Sequence, residues 1–463
     1  MSYNSNIENF IQKLQTGEGK GYAVYFLGIG GIGMSAIARY FNSRGVKVSG
    51  YDKTETVLTK QLQSEGIDIH YEDDCSLIDS NALFVVYTPA IPSDHKEYNY
   101  FKEKGYDLMK RSEVLGLITN SSFNICVAGT HGKTTTSTMI AHIFRDSEKG
   151  CNAFLGGIAS NYDTNFWSDK NNICVVEADE YDRSFLRLKP DVAVITAIDA
   201  DHLDIYGTEE KFAEAFVEFS GKIKESGLLI CKMGLEKKHQ FKKVRTITYS
   251  LNDKSADCYA ENIRVEDGSY VYDTVVNGHV IKDVVLNMGG LHNIENSIAS
   301  IAVALEAKID EIKIKKSLSR FKGVKRRFEF VIKTDELVMI DDYAHHPQEL
   351  TALITSAKEL YKNKKCTVVF QPHLFTRTRD FADGFAESLN KAEEVILLPI
   401  YPAREKPIEG VESEMLVNKM KESKATCCSK NDLLELIKKK TDKKEIELII
   451  IAGAGDIDTL VSP

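Results

Sequence analysis

No stretch of this chain stays apolar for the roughly 18 residues that a membrane-spanning helix needs, so no membrane insertion is expected. The opening segment, MSYNSNIENFIQKL, lacks the charged-then-apolar layout of a secretory leader, which makes the cytoplasm the expected location. Cysteine is present without pattern: there are nine, none spaced Cys-x-x-Cys, and the nearest pair is the adjacent Cys427 and Cys428. That excludes a disulfide framework and a thiolate zinc site and leaves reduced, structural thiols. Positive charge is in deficit, 59 Lys+Arg against 68 Asp+Glu for a net charge of −9, so no nucleic-acid partner is expected. Internal repeats and low-complexity tracts are missing, and the lysine-rich runs at 313–316 and 438–444 read as solvated helix faces.

What is present is a long α/β pattern. A chain of 463 residues, 43% hydrophobic and 27% charged, is ordinary globular protein too long for one core. Strand-like apolar runs alternate with amphipathic stretches, the signature of parallel sheets with crossover helices. The runs fall into three series. The first holds AVYFLGIGGIG, VKVSGYD and ALFVVYTPAI and fades near Leu115. A second opens at FNICVAGTHGKTTT, passes through NNICVVEADE, DVAVITAID and GLLICK, and reaches a helical segment at Asn293–Ala307. The third follows FKGVKRRFEF with LVMIDDYAHHP, CTVVFQPH, EEVILLPIY and IELIIIAGAGD.

Open α/β sheets bind ligands at the carboxyl ends of their strands, so the loops there matter most. Gly28, Gly30, Gly31 and Gly33 follow an apolar strand and open a helix, which lets backbone approach a diphosphate at the helix N-terminus. Asp52 closes the next strand, where a ribose-binding carboxylate would sit. NAD and a UDP-sugar satisfy this pattern equally, and a ligand-free tight turn satisfies it as well. The second loop, GTHGKTTT, carries Gly-Lys-Thr, yet Gly129 stands three residues before Gly132 where the standard mononucleotide pattern puts glycine five before. Its strand-to-helix context still suits phosphate: N–H groups of Gly129 to Thr134 cradle it, Lys133 reaches the β and γ groups, and Thr134 ligates magnesium. Glu177, at the next acidic strand end, is placed to share that metal. His202, in DADHLD, is by itself as well read as a structural histidine, since magnesium prefers oxygen.

Taken in order, GIGGIGMS, GTHGKTTT, VEADEYD, DADHLDIYG, GLHNIEN, GVKRRFE, DDYAHHP and FQPHLFTRTRD resemble the Mur ligase family, from about Tyr25 to Gly455. The shortened phosphate loop is that family's own. The resemblance implies three domains: a Rossmann-like UDP-sugar domain over 1–119, a central P-loop-type ATPase domain over 120–321 and a Rossmann-like ligase domain over 322–463. It implies ATP-dependent ligation of L-alanine to the lactyl carboxylate of UDP-N-acetylmuramate through an acyl phosphate, with ATP and two Mg2+ ions, in a monomer or weak homodimer. It also assigns residues. Lys133, Glu177, His202, Arg327 and His346 are the catalytic group, and Thr134, Glu177 and His202 the metal ligands. Gly129, Thr130, His131, Gly132, Lys133, Thr134 and Thr135, with His292, Asn293, Asn296, Arg327 and Asp342, hold the nucleotide. The glycine loop, Asp52, His131, His345, His346, Arg377 and Arg379 face the substrates, Arg377 gripping the alanine carboxylate bidentately.

Two departures bear on substrate choice. Tyr181 stands where alanine-adding members often have Ser and the murein-recycling branch, which attaches L-alanyl-γ-D-glutamyl-meso-diaminopimelate, has Tyr; Leu374 stands where Arg is frequent. Phe216 occupies the position of the carboxylated lysine used by some relatives, with Lys211 out of register, so no such modification is expected. A UDP-sugar or NAD oxidoreductase would leave GTHGKTTT and VVEADE without a role. A nucleotide-gated binding protein would leave Lys133, Glu177, His202 and Arg327 unexplained as a set.

Overall fold

The computed structural model describes the whole chain except residues 1–4, 16–17, 121, 200–201, 236–237, 404, 422–423, 444–445 and 462–463. Ala200 and Asp201 of DADHLD, Lys444 of the second lysine run and the first four residues of the opening segment therefore lie outside the described residues.

Three sheets stand in chain order. The first is parallel throughout, with Ala23–Leu27 central, Lys47–Tyr51 and Asp68–His70 on one side, and Val85–Tyr87 and Leu108–Lys110 on the other. Strand order reverses beside Ala23–Leu27, and the glycine loop lies at that switch point, where ligands bind in doubly wound sheets. An amphipathic helix, Ser5–Gln15, buries Ile7, Phe10, Ile11 and Leu14 against this unit. The segment read only as lacking a leader is thus part of the core.

The second sheet has ten strands. Its parallel centre runs Arg245–Tyr249, Leu228–Lys232, Val192–Ile195, Phe123–Ala128, Ile173–Glu177 and Asn152–Ala159. VAVI and the ICVA of FNICVA are continuously apolar and buried, as central strands of a parallel sheet are. Both ends of the sheet are antiparallel: Thr164–Trp167 folds back on Asn152–Ala159, and Cys258–Glu266, Ser269–Val276 and His279–Leu286 form a meander. None of these four added strands stands out in the alternating strand-and-helix pattern. Each follows its neighbour through a turn or short loop, so no crossover helix announces it.

The third sheet orders Glu329–Lys333, Val338–Asp342, Leu448–Ala452, Cys366–Phe370, Glu394–Leu397 and Lys424–Cys427, with the first strand antiparallel at the edge. Expected runs shorten where backbone turns toward ligand loops: ALFVVYTPAI supplies only Val85–Tyr87, and EEVILLPIY only Glu394–Leu397. All nine cysteines are free, and six of them sit in strands as structural side chains.

Candidate active site

A cleft of about 880 Å³ opens where the three sheets meet, lined by glycine-loop, phosphate-loop and third-sheet residues together. Its floor is the loop between Phe123–Ala128 and the helix Lys133–Asp146, with Thr130 and Thr135 in the lining. Gly132 caps that helix at φ 79°, and a Cβ there would meet Asn296 Oδ1 at 2.7 Å. Left-handed backbone and close packing both demand glycine. Lys133 Nζ donates to the Gly129 carbonyl at 2.7 Å and pairs with Glu180 at 2.6 Å. Glu180, 1% exposed, is a carboxylate the motif reading left unassigned; burial raises its pKa, and one of its oxygens has no partner.

Thr134 Oγ1 donates to Glu177 Oε1 at 3.0 Å, and Gly156 N–H donates to Glu177 Oε2 at 2.9 Å. Desolvation raises the Glu177 pKa against the pull of Lys133 and Arg327. A hydroxyl and a desolvated carboxylate in contact beside a phosphate loop suit one hard cation that also takes phosphate oxygens. They do not build a metal cage: among the described residues no three His, Cys, Asp or Glu side chains gather as a metal group. His202, at φ 51°, sets its ring edge-on to Tyr181 at 5.2 Å and is not in the cleft wall, which Tyr181 itself lines.

Above the floor, His292, Asn293 and Asn296 line the cleft from the first turn and a half of the helix Leu291–Glu306. Asn293 Nδ2 anchors to the Gly289 carbonyl at 2.7 Å, and Asn296 Nδ2 donates to Asn293 Oδ1 at 3.2 Å. Desolvation by the surrounding cleft lowers the His292 pKa. His131 is exposed in the loop, 3.6 Å from Asp199.

The glycine loop forms the second wall through Gly31 and Gly33. Asp52 does not face the cleft. It accepts the Gly30 N–H at 2.7 Å, and a Cβ on Gly30 would fall 2.8 Å from that carboxylate oxygen. The residue read among the substrate-facing ones is here the pin that shapes the loop. Arg111, which motif reading missed, lies over Gly33 and reaches Asp179 at 3.2 Å, while Lys110 pairs with Asp182 at 2.9 Å. These two cations from the end of Leu108–Lys110 face two acids of VEADEYD across the cleft. Their signal was positional only: a strand end in a sheet already known to bind at its strand ends.

The third wall carries Arg327, Asp342 and His345. Tandem Arg326 and Arg327 diverge. Both line the cleft, but Arg326, at φ 59°, is held by Asp458 at 3.2 Å and Asp341 at 3.6 Å and stacks on Tyr343, whereas Arg327 is exposed and has no ion-pair partner among the described residues. Asp342 accepts the N–H groups of Phe328 and Ala344, each at 2.7 Å, and desolvation pushes it up to about 6. The tandem histidines divide in the same way. His345 faces the cleft with Nδ1 on the Tyr343 carbonyl at 2.9 Å; His346 caps the helix Pro347–Leu360 in a capping box with Glu349 and packs on Phe381. Arg377 is not in the cleft wall: it lies 3.4 Å from His373 Nδ1, and the His373 ring stands 6.1 Å from that of His345, which is. His373 was not singled out by the motif. Arg379 is exposed and pairs with its neighbour Asp380 at 2.8 Å.

Three α/β sheets around one cleft, with a phosphate loop on its floor and an arginine delivered from a third unit, define a nucleotide-dependent ligase. The chain belongs to the Mur ligase family. Residues 23–122 match the family model for the Mur ligase family catalytic domain, 127–304 the Mur ligase middle domain and 326–455 the Mur ligase glutamate ligase domain. It is 50% identical to the UDP-N-acetylmuramate–L-alanine ligase of Parabacteroides distasonis over 448 residues, covering 95% of this chain and 96% of that one. The protein of the same name from Flavobacterium johnsoniae is 47% identical, with 95% and 96% covered. Among solved structures, the UDP-N-acetylmuramate-alanine ligase of Thermotoga maritima superposes with a TM-score of 0.80 at 28% identity, covering 95% and 97%. A murein peptide ligase of Psychrobacter arcticus superposes at 0.64 and 23% identity and shares the fold.

Proposed function

We propose that the chain is an ATP-dependent ligase joining L-alanine to the lactyl carboxylate of UDP-N-acetylmuramate in peptidoglycan synthesis. One observation carries the reading: Lys133, Thr134, Glu177 and Arg327 converge on the same cleft as the glycine loop, so a phosphate donor and a diphosphate-bearing acceptor meet there. Relatives bearing that activity in their names, at about half identity over nearly the full length, support it.

The lactyl carboxylate attacks the γ-phosphorus, forming a carbon–oxygen–phosphorus acyl phosphate as ADP departs. Neutral alanine amine then attacks the acyl carbon, and phosphate leaves with the bonding pair while the amine gives up its proton. Both steps concentrate negative charge on transferring oxygens, so cations matter more than a nucleophile. Lys133 holds the β and γ groups, and Arg327 meets the charge from the opposite wall. Magnesium bound at Thr134 and Glu177 would neutralise triphosphate charge. His345, with Nδ1 engaged by the Tyr343 carbonyl, presents Nε2 to take the amine proton. Arg377 fits the alanine carboxylate because a guanidinium grips it in a planar fork.

The reading carries its setting: units bounded at 119/120 and 321/322, a cytoplasmic monomer or weak homodimer, and free small-molecule substrates. In the described residues no helix is long and apolar enough to cross a membrane. Phosphate release from ATP, measured with UDP-N-acetylmuramate, with and without L-alanine, tests the function; release must require both. Competing L-alanine against L-alanyl-γ-D-glutamyl-meso-diaminopimelate tests the acceptor, and preference for the tripeptide would move the chain to the recycling activity with its ATP chemistry unchanged.

A further inference from the structure

One hairpin touches the glycine-loop helix, Glu177 and the segment that leads to Arg327 without lining much of the cleft. Its strands, Asn152–Ala159 and Thr164–Trp167, form the outer edge of the second sheet. At its far strand, Asn165 is fully buried and crosses into the first unit. Its Nδ2 donates to the Ile32 carbonyl at 2.5 Å and to Ser35 Oγ at 3.0 Å, while Oδ1 accepts from Arg39 at 2.5 Å. Ile32 is the first residue of the helix opened by the glycine loop. In mid-strand, Gly156 donates its N–H to Glu177 at 2.9 Å. At the tip, Asn161 holds the segment that ends in Arg327: its Nδ2 donates to the Arg320 carbonyl and its Oδ1 accepts the Lys322 N–H, each at 2.8 Å. Backbone bonds from Ser160 to Gly323 and from Lys325 to Ile158 continue that grip.

We infer that this hairpin is the gauge that spaces the UDP-sugar loop, the metal carboxylate and the Arg327 segment, with Asn165 and Asn161 as positioning residues at its two ends. Neither lines the cleft. Asn165 adds a side-chain bond to backbone of the first unit and Asn161 adds two to the segment that leads to the third, and an acyl transfer loses rate steeply when reacting groups shift by an ångström. Because the two ends serve different ligands, their loss must appear in different kinetic constants. The inference rests on the ligase reading above.

The test is a steady-state comparison of Asn165→Ala and Asn161→Ala with the wild type, alongside thermal melts. Asn165→Ala is expected to raise the KM for UDP-N-acetylmuramate about tenfold, the usual cost of one misplaced buried bond, with kcat and the KM for ATP changed less than about twofold. Asn161→Ala is expected to lower kcat about tenfold and leave the UDP-sugar KM within about twofold. Should Asn165→Ala fail to fold, Ser35→Ala, which removes one of its partners, carries the same expectation at smaller size. Both variants losing kcat and KM in one ratio, or activity that merely follows the melting temperature, overturns the inference. Wild type without ligase activity would instead fail the proposed function.

Discussion

The first and second units meet differently from the second and third. Across the first boundary, the helix Ile32–Ser43 lies on the hairpin, with Tyr40 among Phe154 and Phe166, and a single apolar cluster runs through both units. Buried Asn165, which accepts from Arg39, locks it further. Across the second boundary the chain itself, residues 321–330, does most of the joining. Around it lie polar contacts such as Lys333 to Ser269 at 3.1 Å and Tyr270 to Glu359 at 3.0 Å, and here too one apolar cluster runs through both units, with Phe328 over Gly289. The boundaries are thus alike in apolar continuity and differ in what carries the polar contact: the side chains of buried Asn165 and Arg39 at the first, the backbone of the connecting segment, bonded from Ser160 to Gly323 and from Lys325 to Ile158, at the second. The phosphate and glycine loops stand on the first two units, while Arg327 and His345 reach the same cleft from that segment and the unit beyond it.

The largest break lies in the phosphate loop. Lys133→Ala should cost ligation about a thousandfold or more, the effect of removing a phosphate-positioning cation, while UDP-sugar affinity by calorimetry stays near wild type. Near-normal turnover would remove the ATP-loop assignment. Next comes the reach across the joint: Arg327→Ala should lower kcat by roughly 100-fold or more, as loss of a trans-delivered arginine does, with ATP and UDP-sugar binding retained. Equal loss of binding would place Arg327 in the ground-state pocket instead.

Arg377→Ala should raise the KM for alanine by roughly 10- to 100-fold, the cost of one charge-assisted contact, and Arg377→Lys should restore only part of it. Unchanged alanine saturation would move the carboxylate elsewhere on the third wall. The smallest expected effect concerns the third unit's own stability. Asp341, 2% exposed with one oxygen unpartnered and Arg326 3.6 Å away, is pushed by burial up to about 7. A raised carboxylate pKa favours folding fully below the ordinary value of 3.8, and that contribution is lost as pH rises through about 7. Melts from pH 4 to 8 should show this decline in wild type and a flatter profile in Asp341→Asn; identical slopes would remove Asp341 as its source.

Local sequence carried a good deal of this. VAVI, LIIIA and the ICVA of FNICVA are buried and read as strands by their apolar runs. GTHGKTTT and VVEADE placed Lys133, Thr134 and Glu177 together, because a strand-loop-helix unit fixes its own geometry and the parallel pairing of Phe123–Ala128 with Ile173–Glu177 fixes the rest. The glycine loop was equally legible, and Asp52, read among the substrate-facing residues, accepts the Gly30 N–H in the structure.

Tertiary structure decided what adjacent residues do and what distant ones share. Nothing local separates Arg326 from Arg327 or His345 from His346; Asp458 and Asp341 hold one guanidinium, and a helix N-terminus claims the second imidazole. Glu180 as the partner of Lys133, Arg111 over Gly33, His373 beside Arg377 and Asn165 on Ile32 follow from how sheets, helices and loops pack after their strands form. Sequence spacing determined each loop because its atoms are joined by a few rigid peptide units. The contacts between loops depended on side-chain directions and on packing between distant segments, such as the 133 residues that separate Ile32 from Asn165, which no local pattern encodes.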